Sequence, residues 1–225
     1  MAPVFKVAVV QLYPNVRSTQ SSTFSNLWRH LQPMQIEQNF NNAASYIRSA
    51  AAQGVELVVL PEYHLTNWVP KDPNFLSLCE QWEIYLKKYQ NLAKECKICI
   101  VPGTIVERQN GAEKEDQLLN AAYFIDHTGE IIGKYIKKNL WWVSRILFGG
   151  GLFLIRICRG PEREHLTSSG RDVHEVFDTP LGRVGMLICW DLAFPEAFRE
   201  LIYQGAKIII IPTFCKFSLA SLNTE

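Results

Sequence analysis

The sequence predicts an α/β domain in which a sheet, buried on at least one face, is packed by helices. Two observations carry the prediction. Several continuous apolar runs have the length of strands, among them VELVVLPE at 55–62 and AKIIIIPTF at 206–214, and a strand that is apolar throughout belongs where neither face meets water. Between these runs stand segments of helical spacing, so strands and helices alternate along the chain.

In chain order, the apolar stretch at 5–10 reads as a first strand, and 37–53 has helical periodicity with Gly54 as its stop. Residues 55–62 form a strand that ends at Glu62, 74–95 a single amphipathic helix, and 98–107 a strand. After a polar loop, LLNAAYFID (118–126) is a strand, HTGE (127–130) a turn, and IIGKYIKK (131–138) a further strand. VHEVFDTP (173–180) leads through the turn LGR (181–183) into VGMLICWD (184–191), a strand that ends at a cysteine. PEAFRELIYQG (195–205) is a helix with Gly205 as its C-cap, followed by the buried strand at 206–214.

Size and charge narrow the function. The 225 residues fit one domain better than two, and 48% apolar with 20% charged residues is ordinary for a chain that buries a core. A net charge of +1 gives no basis for nucleic acid or an anionic membrane as partner. The opening MAPVFKVAVVQL lacks the basic, apolar and small-residue regions of a signal peptide. Its apolar part is too short to cross a bilayer. These features read as a cytoplasmic protein.

Six cysteines (Cys79, Cys96, Cys99, Cys158, Cys189, Cys215) invite a disulfide or metal reading. Without a secretory signal, disulfides are not expected. Cys96 and Cys99 have zinc-pair spacing, yet no second pair or histidine follows, and they lead straight into an apolar strand; they read as small core residues.

Three places carry residues suited to chemistry. In GRVGMLICWDLAFPEAFRE, Cys189 stands where a strand gives way to a turn and then, at Pro195, a helix; such a turn presents a nucleophile rigidly and aims the following N–H at a developing oxyanion. The bland reading is a buried structural cysteine. Glu62 stands just past an apolar strand, where a glutamate is ordinarily solvated; beside a thiol it would serve as general base. In GEIIGKYIKKNL, alternation places Lys137 and Tyr135 on one face and Lys134 and Lys138 on the other. Strand lysines are mostly surface groups, whereas one in a pocket stabilises a tetrahedral anion.

The three pieces together, with FKVAVVQL, VVLPE, GKYIKKNL and GMLICWDLAFPEAFREL in this order, resemble the nitrilase superfamily of carbon–nitrogen hydrolases over nearly the whole chain. The resemblance implies an α-β-β-α sandwich, a thiol nucleophile, and neither metal nor organic cofactor. It implies Glu62 as general base, Cys189 as nucleophile, Lys137 as oxyanion stabiliser in preference to Lys138, and the Trp190 backbone N–H in the oxyanion hole. A second glutamate, expected between the lysine and the cysteine, falls on Glu162 or Glu164, with Glu162 preferred. The implied reaction is hydrolysis of a non-peptide carbon–nitrogen bond in a small molecule. The form CWDLAFPE is nearer the amidase and carbamoyl-amide branches than nitrilase proper. A nitrile substrate is the alternative, and a homo-oligomer the expected assembly.

The resemblance covers 4–214 and is interrupted. NVRSTQSSTFSNLWRHL (15–31) contains the insertion 16–31, and VSRILFGGGLFLIRICRG fills 143–160, where short loops are expected. Both insertions open on residues (Val-Arg at 16, Val-Ser at 143) that an in-frame GTAAG donor site would encode. With the tail at 215–225, they read as retained introns in a C-terminally incomplete gene product, inactive on that reading; the alternative is genuine, lineage-specific loops and a naturally short isoform.

Overall fold

The computed structural model describes residues 4–12, 33–111, 114–142, 162–169 and 173–214. The segments 16–31 and 143–160 and the tail 215–225, singled out above, lie outside the described residues, as do Cys158 and Cys215.

Two sheets stack face to face. The larger contains β1 (Val7–Val9), β2 (Leu57–Val59), β3 (Cys99–Val101), β4 (Thr104–Gly111), β5 (Lys114–Ile125) and β6 (Ile131–Ile136). Its order is β1-β2-β3-β5-β4, with β6 also on β5; β1, β2 and β3 run parallel and the remaining pairs antiparallel. The smaller sheet is β7 (Val176–Thr179), β8 (Gly182–Met186) and β9 (Ile208–Ile210), antiparallel then parallel.

Period-two alternation sorts the side chains of the large sheet into two cores. Val58, Ile100, Ala121, Tyr123 and Ile125 face outward, under α1 (Pro33–Ala52) and α3 (Trp82–Cys96). Helix α1 meets them with Ile36, Ala43, Ala44, Ile47 and Ala50, and α3 with Tyr85, Leu86, Tyr89, Leu92 and Ala93, both stripes of helical spacing. Leu57, Val59, Val101, Ala122 and Phe124 face the other way and meet Val184 and Met186 of the small sheet. Phe124 and Phe177 seal that layer edge to face, with ring centroids 5.7 Å apart. On the far side of the small sheet lies α4 (Pro195–Tyr203). A Cβ on Gly185 would come within 2.7 Å of Leu201, so the glycine lets this helix close on β8. The layers are helix, sheet, sheet, helix: the predicted sandwich.

Several local expectations differ from the structure, among them the polar loop between 107 and 118, which is a hairpin in which β4 and β5 keep pairing, Arg108 with Leu118 and Gln109 with Gln117. The strand at 98–107 is two strands, because Pro102 has no N–H for a ladder and Gly103 turns at φ 60°. The helix at 74–95 is divided into α2 (Phe75–Cys79) and α3 at Gln81, whose φ −84° and ψ 7° leave the helical region. The buried positions keep helical spacing across that break, so periodicity is blind to it. The strand at 131–138 ends at Ile136, because the Asn139 N–H turns from the ladder to the Asp191 carboxylate, 3.0 Å away.

Candidate active site

At the end of β2 the chain stays in the sheet through Leu60, whose N–H reaches Val101 O at 2.9 Å. Pro61 then ends the ladder and packs against Gly103, where a Cβ would lie 1.9 Å from Pro61 O; only glycine permits this approach. Tyr63 adopts φ 54° and its N–H is received by Thr104 Oγ1 at 3.2 Å. The turn so fixed drives Glu62 inward until its side chain is 1% exposed.

Lys137 follows β6, with its N–H on Asn120 O at 2.9 Å. Its fully buried ammonium donates to Glu62 Oε1 and to Glu162 Oε1, both at 2.8 Å. Burial works against the charge, and the two carboxylates outweigh it, holding the Lys137 pKa above the ordinary lysine value. Around this pair the bonding continues. Asn120 Nδ2 donates to Glu62 Oε1 at 2.9 Å and to the Tyr63 hydroxyl at 2.7 Å, and that hydroxyl donates to Glu162 Oε1. Glu162 Oε2 accepts from the Trp141 N–H at 2.7 Å.

Cys189 arrives on the other sheet. Past the end of β8, Leu187 and Cys189 still donate to Ile210 and Pro212 carbonyls at 3.0 Å, so the strand direction is held as far as Cys189. There the chain turns at φ 42° into the short 3-10 helix Cys189–Ala193. Burial pushes the thiol up, as does Glu62, to which it is hydrogen-bonded; Lys137 and the Phe214 N–H pull it down, and the net position is well above that of a free thiol. Burial likewise raises the Glu62 carboxyl, against the pull of Lys137 and with the push of Glu162. Both shifts run in the direction that keeps a proton on this pair of groups.

Asp191 locks the two halves together. Fully buried, it accepts from Asn139 N and Nδ2 at 3.0 and 2.9 Å through Oδ1, and from Ile188 N and the Tyr135 hydroxyl at 2.8 and 2.9 Å through Oδ2. Tyr135 and Asn139 bracket Lys137, and Ile188 precedes Cys189. One carboxylate therefore fixes the lysine segment against the cysteine turn.

The structure thus brings together Glu62, Lys137 and Cys189, with Glu162 as a second carboxylate on the lysine; Glu164 is exposed. Trp190 follows the cysteine in the 3-10 turn, half-buried. Lys134 pairs instead with Glu107 at 2.9 Å, away from the cysteine. Among the described residues no group of three His, Cys, Asp or Glu side chains is arranged to hold a metal, and no helix is long and apolar enough to cross a membrane. Sequence reasoning missed Asn120, Tyr63 and Asp191. Asn120 carried a signal, as the one polar residue within LLNAAYF; Asp191 and Tyr63 abut predicted site residues without any distinguishing pattern.

The sequence model of the carbon-nitrogen hydrolases matches residues 6–222. The chain belongs to the carbon-nitrogen hydrolase family. It is similar to the deaminated glutathione amidase of Bos taurus (31% identity over 180 residues, 79% of this chain and 51% of that protein). It is also similar to the nitrilase of Pyrococcus abyssi (31% over 216 residues, 92% and 64%). The human omega-amidase is 29% identical over 178 residues, 77% of this chain and 57% of that protein. This member spans about half the length of the amidase relatives it matches. Its fold is that of an amidase from Nesterenkonia sp. (TM-score 0.64, 20% identity, 95% of this chain and 66% of that one). It is likewise the fold of the C. elegans NitFhit protein (TM-score 0.67, 23% identity, 92% and 43%).

Proposed function

We propose that this carbon-nitrogen hydrolase cleaves a linear amide or N-carbamoyl amine through a covalent acyl-cysteine. The observation that supports the reading best is the meeting of Glu62, Lys137 and Cys189 in one buried cluster, thiol on carboxylate and carboxylate on ammonium at 2.8 Å. The preference for an amide draws on the relatives named as amidases.

The thiol is protonated at rest, so proton transfer to Glu62 accompanies attack on the carbonyl carbon instead of preceding it. The sulfur–carbon bond forms, and the carbonyl oxygen becomes an anion stabilised by the Lys137 ammonium and the Trp190 N–H. Glu62 returns the proton to the leaving nitrogen as the carbon–nitrogen bond breaks, releasing ammonia or an amine. It then takes a proton from water as the water attacks the thioester, and passes that proton to the sulfur as the carbon–sulfur bond breaks, freeing the acid and the Cys189 thiol. Lys137 stays charged throughout, as its two carboxylate partners require.

The test is a panel of small amides, N-carbamoyl amines and nitriles, assayed for release of ammonia or amine alongside Cys189→Ala. Amide turnover that disappears in the variant is the expected result. Turnover confined to nitriles would move the substrate class, and turnover surviving in Cys189→Ala would remove the mechanism.

A further inference from the structure

The polar groups around Lys137 close on themselves. Asn120 Nδ2 donates to Glu62, Lys137 joins Glu62 to Glu162, and the Tyr63 hydroxyl joins Glu162 back to Asn120. The direction of each bond is forced. An ammonium only donates and a carboxylate only accepts, so the amide must turn its nitrogen, not its oxygen, toward Glu62. The phenol, having accepted from Asn120, spends its single proton on Glu162.

Asn120 is a poor choice for stability alone. It is fully buried between Leu119 and Ala121, and among the described residues its Oδ1 has no partner. A buried acceptor left unpaired costs free energy that an apolar side chain of the same shape would not. Both of its donated bonds instead end on groups that surround Lys137.

We propose that Asn120 is the positioning residue of the base: its amide holds the Glu62 carboxylate against Lys137 and aimed at Cys189, and couples it through Tyr63 to Glu162. The inference rests on Glu62 acting as base toward Cys189, as proposed above. With the amide gone, Glu62 loses a donor that favours its ionised form, so it takes up a proton at higher pH and its carboxylate gains freedom to rotate.

The experiment measures alkylation of Cys189 by iodoacetamide against pH, read by mass spectrometry on the full chain, together with kcat and KM on an amide substrate. In Asn120→Leu the acid limb of Cys189 reactivity should move up by about one pH unit, since a hydrogen bond to a charged group is worth roughly that much. kcat should fall about tenfold with KM within about twofold, because the base is misplaced while the pocket is kept. Asn120→Asp keeps the shape and sets a second carboxylate against Glu62; its limb should move further up, and it carries the test if the leucine variant does not fold. Tyr63→Phe, which keeps the Asn120–Glu62 bond, should lower kcat and leave the limb in place.

Acid limbs of Asn120→Leu or Asn120→Asp that coincide with wild type in folded protein would overturn the proposal. So would a Tyr63→Phe limb displaced as far as that of Asn120→Leu. Failure of the hydrolase reading looks different, as turnover that survives in Cys189→Ala or is missing across the whole panel. The alkylation arm needs only Glu62 and Cys189 and reads Asn120 in either case.

Discussion

The ends of β2 and β8 deliver Glu62 and Cys189 to one point, and they are built on opposite plans. Past β2, Glu62 is held by side chains: Lys137 and Asn120 grip one of its oxygens, and Tyr63 and Glu162 complete the ring behind it. Past β8, Cys189 is held by its backbone, through its own N–H on Pro212 O and through Ile188 N–H on Asp191, while the thiol has Glu62 and the Phe214 N–H as its hydrogen-bonding neighbours among the described residues. The difference follows the chemistry proposed. The base must keep one position through two proton transfers. The sulfur must leave its partner and form a bond, so the frame around it is rigid and the atom itself is lightly held.

If that contrast is right, substitutions at the two ends should fail in different ways. The largest effect on activity belongs to Cys189→Ala, which should reduce amide turnover to background with the melting temperature within a few degrees of wild type, because the thiol holds little of the frame. Asp191→Ala should damage fold and function together. It strands four donors, from Ile188, Asn139 twice and Tyr135, in a fully buried place. A loss on the order of 3–5 kcal/mol in urea unfolding is expected for such a network. A stable Asp191→Ala protein with wild-type turnover would mean that the cysteine turn needs no clamp.

The β2 end also carries a buried histidine. His64, fully buried, bonds the Tyr89 hydroxyl through Nε2 at 2.6 Å and Pro61 O through Nδ1 at 3.3 Å. Those partners suit a neutral ring that donates to the carbonyl and accepts from the phenol. Burial lowers its pKa from 6.5 to about 4, against a small upward pull from the Pro61 carbonyl. The unfolded chain therefore takes the proton first. Stability contributed by the neutral ring is present above pH 6.5 and is lost as the pH falls toward about 4, to an extent of roughly 3 kcal/mol. Urea midpoints measured between about pH 7 and pH 4 should decline more steeply in wild type than in His64→Gln; parallel curves would place the proton elsewhere.

What could be read in advance follows from which interactions repeat along the chain. Alternation in VELVVL and LLNAAYF sorts each strand between two cores, and strand-end positions for Glu62 and Cys189 follow from where apolar runs stop. Motif order added Lys137. The break at Gln81 and the bend at Pro102–Gly103 leave the apolar spacing intact, so no hydrophobic pattern reports them. The closed ring was illegible for another reason. Asn120, Tyr63 and Glu162 come from three distant segments, and only the pairing of β5 with its neighbours and the turn at Tyr63 bring them together. Glu162 and Glu164 are two residues apart in sequence, and only the direction of the 3-10 turn Glu162–Glu164 decides that the first reaches Lys137.

The smallest effect is expected at the pair that most resembled a metal or redox site. Cys96 ends α3 and Cys99 opens β3, joined through Lys97 at φ 55°. Cys99 is 2% exposed in the layer between the sheets, where burial pushes its thiol up to about 11; Cys96 is half-buried and also raised, by burial first and then by Glu95. Neither thiol is placed as Cys189 is, since the nearest carboxylates act on them only through space and, among the described residues, no hydrogen-bonded carboxylate stands beside them. Replacing both with alanine removes two sulfur atoms from packing and nothing from the cluster at Glu62. The double variant should retain kcat/KM within about twofold and lose on the order of 1–2 kcal/mol of stability, the scale of deleting small buried groups. Stoichiometric zinc in the purified wild type, absent from the double variant, would show that the pair binds metal and that its burial has another purpose than packing.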